Sequence, residues 1–332
     1  MRSRPTLALI ALALLVAAAC GSEDATADDG RPTVVATTSI LGDVVSEVVG
    51  DAARVVVVMP AGADPHDFQP SAQQVNQIRS ADALVTNGGG FEVGLLATLE
   101  SAEGDVPTIH ALDTVDALTF GATAPEEVHA DDAEGHEDEE EAEEGAPDPH
   151  AHDGDDDPHF FTDPDRVADA AEGIAAFLAD EVPALATDEV ADHAAAYVDE
   201  LRALAAEVEE TLAPIPPERR VIITNHEVFG YFADRYDFEV VGAVVPGGGT
   251  GAEPSAAELD DLAHLIEEEG VPAIFADASS PARLADALAA EVGGDVEVVS
   301  LFTESLGEEG SGAETYAGLV RTNAERIAEA LG

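Results

Sequence analysis

No lysine occurs among the 332 residues; the 13 basic residues are all arginine and face 70 aspartates and glutamates. A formal net charge of -57 repels polyanions, which excludes nucleic acid and anionic membrane surfaces as partners. Cations are the natural partners of such a chain. Only one cysteine is present, Cys20, so no disulfide can staple the fold and a hydrophobic core must hold it. With 45% hydrophobic residues there is material for one large or two ordinary domains.

Long apolar runs are also missing. The longest candidate, in MRSRPTLALIALALLVAAAC, is too short and wrongly flanked for a stable spanning helix. Arg2 and Arg4, the apolar run from Leu7 and the small residues before Cys20 have the layout of a secretory signal over residues 1–19. The end of that run resembles a bacterial lipobox, with Ala17 where leucine is commoner. The resemblance implies cleavage before Cys20 and acylation of that residue, and several acyl chains anchor a protein stably. The alternative is an ordinary signal with an incidental thiol. Either way the mature protein is expected outside the cytoplasm, with residues 20–31 as a small, acidic tether.

From Pro32 the pattern is α/β. TVVATT, RVVVVMP and DALVTNGG read as buried strands, separated by helix-like stretches such as ILGDVVSEVVG and SAQQVNQIRSA. The alternation recurs after residue 220, with VIITN, FEVVGAVV, AIFAD and VEVVSL as strands. Two doubly wound lobes with parallel sheets are expected, over residues 32–183 and 215–332. Between them, within 184–214, Val190, Ala194, Tyr197, Leu201, Leu204, Val208 and Leu212 recur every three or four positions. That spacing predicts one long amphipathic helix starting at Thr187 or Asp188 and stopped by Pro214, a stiff connector between lobes.

Residues 124–158 have no aromatic residue, no basic residue and no apolar period, and carry 17 acids. The composition predicts an unfolded loop. Its histidines, His129, His136, His150 and His152, suit low-affinity capture of borderline divalent metals such as zinc. DGDDD is not a calcium loop, because Pro158 and Pro164 stand where the turn glycine and closing glutamate belong.

Three other positions sit where a strand meets a loop or helix: His66 after RVVVVM, His226 after VIIT and Glu304 after VEVVSL. The carboxyl ends of strands form the ligand crevice of doubly wound sheets, so these distant positions can converge. His159, in DPHFFTDP, precedes another helix. Three neutral imidazoles and one carboxylate make a closed four-coordinate zinc site.

AGADPHDFQPS, DPHFFTDP, NHEVFGYFADRY and LFTESLGEEGSGAETYAGLVRTNAERI resemble, in order, the signature stretches of the zinc- and manganese-binding solute-binding proteins of bacterial ABC importers. The resemblance covers essentially all of the mature chain. It implies two α/β lobes clasping a metal at their interface, with His66, His159, His226 and Glu304 as ligands and a histidine-acidic loop before the second. Two departures stand out. Glu304 replaces the usual aspartate, leaving bidentate, monodentate or water-replaced binding open, and Glu92 followed by Gly94 replaces an acid and a tryptophan in one wall. Histidine at 226 favours zinc over manganese.

The expected function is capture of extracytoplasmic zinc and its delivery to an ABC permease, by a lipid-anchored monomer that is not an enzyme. A manganese importer component and a metal-dependent adhesion lipoprotein are the alternatives. A secreted zinc hydrolase fits less well, since NHEVFGYF has Gly230 where an H-E-x-x-H helix needs its second histidine. Removal of residues 126–157 is expected to spare tight one-to-one zinc binding.

Overall fold

The structure, a computed structural model, describes residues 30–120, 156–245, 254–279, 282–293 and 296–332. The signal and lipidation readings at Cys20, and those for His129, His136, His150 and His152, lie outside the described residues.

In the first lobe the elements run β1 (Thr33–Ala36), α1 (Ser39–Val49), β2 (Arg54–Val57), α2 (Ala72–Arg79), β3 (Ala83–Thr86), α3 (Leu96–Ala102), β4 (Thr108–His110) and α4 (Pro164–Glu181). The linking helix α5 (Asp188–Leu212) follows. The second lobe continues with β5 (Val221–Thr224), α6 (Gly230–Tyr236), β6 (Glu239–Ala243), α7 (Ala256–Glu269), β7 (Ala273–Asp277), α8 (Arg283–Val292), β8 (Glu297–Leu301) and α9 (Tyr316–Leu331).

Each lobe holds a four-stranded, all-parallel sheet, ordered β2-β1-β3-β4 and β6-β5-β7-β8. The α/β, doubly wound reading is therefore correct, and the two lobes repeat one strand order without a detectable repeat in sequence. Residue type follows position in the sheet. The inner strand β3, ALVT, is buried throughout, whereas the edge strands β2 and β6 are half exposed. Strand β4 was not anticipated, because TIH is too short to show a period.

Helix α5 starts where its cap predicts: the Thr187 hydroxyl accepts the Val190 N–H, and Asp188 and Glu189 lie in the first, electropositive turn. Its 25 residues span roughly 38 Å at 1.5 Å each. The predicted apolar stripe is buried from Val190 to Leu212 against α1 and α4 of the first lobe and α9 of the second. One apolar cluster consequently runs unbroken from Val34 to Leu331 through both lobes. Such a shared core resists wide hinge opening, since parting the lobes would expose it to water.

Candidate metal centre

All four nominated residues meet at the carboxyl ends of the strands. His66 lies between β2 and α2, His226 follows β5, Glu304 follows β8, and His159 precedes α4. The helix after His226 begins only at Gly230, so His226 sits in a loop instead of opening the helix. One potential ligand atom from each residue lies within 4.8 Å of the others. Glu304 Oε1 is 2.7 Å from His66 Nε2, 3.0 Å from His226 Nε2 and 3.4 Å from His159 Nε2. His159 and His226 are fully buried, and the His66 ring keeps 7% of its surface accessible, so His66 marks the solvent side. His110, His193 and His264, also described, stand outside the group.

Local structure presets each residue. In Asp64-Pro65-His66 and again in Asp157-Pro158-His159, the aspartate carboxylate accepts the backbone N–H of the histidine two residues on, at 2.9 Å in both. Proline fixes φ, and the Asx hydrogen bond closes the turn, so each tripeptide aims its imidazole before any metal is considered. Glu304 is pinned on both sides. Upstream, Asn323 exchanges two hydrogen bonds with the Phe302 backbone, at 2.9 and 2.7 Å, and the Thr303 hydroxyl donates to Asp277 at the end of β7. Downstream, the Ser305 hydroxyl accepts the Gly62 N–H at 2.8 Å and pairs with the Ser39 hydroxyl at 3.1 Å, tying the Glu304 loop to the first lobe.

The surroundings are aromatic and charged. Phe91, Phe120 and Phe161 present edges to His159 at 5.6, 6.1 and 5.9 Å between centroids, and Phe91 also meets His66 at 5.2 Å. In so apolar a shell, unpaired polar atoms are costly. Yet His159 Nε2 and Glu304 Oε2 are buried with no hydrogen-bond partner among the described residues. Burial alone would raise the Glu304 pKa, but the adjacent His226 and His66, joined by the nearby His159, hold it well below the usual carboxylate range. Three nitrogens and a charged carboxylate, two of these residues carrying a buried atom without a partner among the described residues, fit the demands of a tetrahedral cation of zinc type.

Comparison with known proteins agrees with this architecture. The family described as Zinc-uptake complex component A periplasmic, ZnuA, matches residues 34–330. The chain belongs to that family. Among similar proteins, the manganese-binding lipoprotein MntA of Halalkalibacterium halodurans is 27% identical across 97% of both chains. The zinc-binding protein TroA of Treponema pallidum is 28% identical over all of this chain and 99% of its own. The solved structure of that periplasmic zinc-binding protein superposes with a TM-score of 0.77 at 26% identity, covering 91% of this chain and all of TroA. No helix among the described residues is long and apolar enough to cross a membrane.

Within this ZnuA-family fold, the wall left open by Glu92 and Gly94 has a definite form. Glu92 is buried away from the four-residue group, accepting the Thr37 hydroxyl and the Asn87 N–H, both at 2.6 Å. Phe91 supplies the aromatic face instead. Gly94 lies under the His66 loop, where a Cβ would sit 1.9 Å from the Phe68 carbonyl oxygen. Gly94→Ala should therefore push Phe68 outward, cost roughly 1–3 kcal/mol of stability and weaken zinc binding through His66. Thermal melting and chelator competition on the same sample check both effects.

One boundary needs correction. Residues 124–158 were expected to be loop throughout, but Asp156 bridges Thr119 in antiparallel fashion, and Asp157 and Pro158 are buried. Asp157 accepts a hydrogen bond from His159 Nδ1 at 2.7 Å. It went unnoticed because it is one acid in a run of acids. The Asp-Pro-His tripeptide shared with residues 64–66 was the available signal.

Proposed function

We propose that the chain captures an extracytoplasmic divalent transition metal, zinc before manganese, through His66, His159, His226 and Glu304, and passes it to an ABC-type permease. The observation that carries this reading is the convergence of one ring nitrogen from each of three histidines and one oxygen of a charged, buried carboxylate within 4.8 Å. Names of relatives divide between manganese and zinc; the donor set favours zinc, because imidazoles suit it and manganese prefers more oxygen. Four protein donors leave no open coordination position for hydrolysis. The place of a second helix-borne histidine is taken by Gly230, where a Cβ would lie 2.7 Å from Asp157 Oδ2. Binding and hand-over are therefore the function, without catalysis.

The shared core from β1 to α9 limits the lobes to small adjustments, so metal locks an existing closed arrangement, and the permease reads that lock. Cleavage before Cys20 and its acylation would hold the protein on the outer face of the cell membrane, with His129, His136, His150 and His152 as accessory collectors. Titration of the purified chain with zinc and manganese in competition is the test. One tight site per chain with zinc preferred supports the reading; His226→Asp should narrow the preference by adding an oxygen donor. Equal affinities in the unaltered chain would remove the zinc assignment.

A further inference from the structure

We propose that Asp157 is a positioning residue for His159, and that Tyr231 of the second lobe holds Asp157 in register. The inference rests on the reading of His159 as a metal ligand. Asp157 is 3% exposed, and its Oδ1 accepts both the backbone N–H of His159 at 2.9 Å and the ring Nδ1–H at 2.7 Å. A carboxylate only accepts, so Nδ1 carries a proton and Nε2 is the ring nitrogen left to face Glu304, 3.4 Å from its Oε1. A carboxylate behind a ligating imidazole fixes the ring and strengthens it as a donor. Among the described residues His226 has no such support, since its buried Nδ1 lacks a partner.

Three contacts fix Asp157 itself. Its N–H donates to the Leu118 carbonyl at 2.7 Å, its own carbonyl accepts the Tyr231 hydroxyl at 2.7 Å, and Gly230 leaves room for Oδ2. The same Tyr231 oxygen accepts the Leu118 N–H at 3.0 Å. Tyr231 thus ties together residues 118 and 157, the two strands of the short bridge at Thr119 and Asp156, from helix α6 just beyond His226. This arrangement ties His159 of the first lobe to helix α6 of the second through hydrogen bonds that contain no metal. It also revises the expected tolerance to deletion. Removing residues 126–155 keeps the bridge and tight binding, whereas extending the deletion through Asp157 removes the support of His159.

The experiment uses the full chain and compares Asp157→Ala, Asp157→Asn, Tyr231→Phe and His159→Ala with the unaltered protein. Zinc affinity is measured by chelator competition, and the protonated ring nitrogen of His159 is identified from long-range proton–nitrogen correlations. Asp157→Ala should weaken zinc about 10- to 100-fold and abolish the Nδ1–H signature of His159. Asp157→Asn, whose amide oxygen still accepts, should recover much of that loss, and Tyr231→Phe should cost roughly fivefold, the worth of one hydrogen bond. If His159→Ala weakens binding while both Asp157 variants leave affinity and ring protonation unchanged, the positioning role is overturned and the metal site stands. If His159→Ala itself has no effect, the reading of the site fails instead. Should Asp157→Ala not fold, Tyr231→Phe decides: unchanged zinc affinity in that variant overturns the role.

Discussion

His226→Ala should raise the zinc dissociation constant by at least about a thousandfold, on the order of 4 kcal/mol. His226 Nε2 lies 3.0 Å from Glu304 Oε1 in a fully buried setting, so its loss removes one of the four proposed donors and leaves the Glu304 charge with less compensation. Water entering the space replaces a neutral, preoriented imidazole with a weaker, mobile oxygen. His66→Ala should act in the same direction. His264→Ala is the control, since His264 is 72% exposed and stands apart from the group. Chelator competition gives the affinities, and circular dichroism of the metal-free variants separates loss of binding from loss of fold.

Affinity should also rise with pH, by about tenfold per unit between pH 7 and about 9. Burial opposes the charged form of His159, but the Asp157 carboxylate, by charge and hydrogen bond, and Glu304 outweigh it and push the pKa up to about 9. At neutral pH the metal-free ring therefore holds a proton that zinc must displace. Glu304 stays ionised across this range, because its pKa is lowered. The sign for stability is opposite in the metal-free chain. The folded pKa of about 9 exceeds the ordinary 6.5, so this proton stabilises the empty protein fully below pH 6.5 and the contribution fades as pH climbs through 9. The rise in melting temperature caused by zinc should accordingly widen from pH 7 to 9. Calorimetry in buffers of different ionisation enthalpy should find about one proton released per zinc at pH 7; none released would remove this role of His159.

The parts of the molecule legible in its sequence share a physical cause. Strands such as ALVT are buried on both faces and read as unbroken apolar runs, and the stripe on α5 repeats over about six turns, so both signals rise above background. His66, His226 and Glu304 were identifiable because strand ends in doubly wound sheets point into one crevice, His159 because it stands just before a helix, and the family resemblance then implied all four together. Asp157 was hidden for the opposite reason. Composition averages over a window, and an acid held by one imidazole and one phenol looks like its solvated neighbours. Tyr231 and Phe120 were missed because their partners are distant in sequence. Short elements such as β4 were missed because three residues cannot display a period.

Zinc K-edge absorption of the loaded protein tests the central claim most directly. Three imidazole nitrogens and one carboxylate oxygen at about 2.0–2.2 Å are predicted, falling to two imidazoles in His226→Ala loaded at high zinc. An oxygen-dominated shell in the unaltered protein, or a spectrum that His226→Ala leaves unchanged, would contradict it.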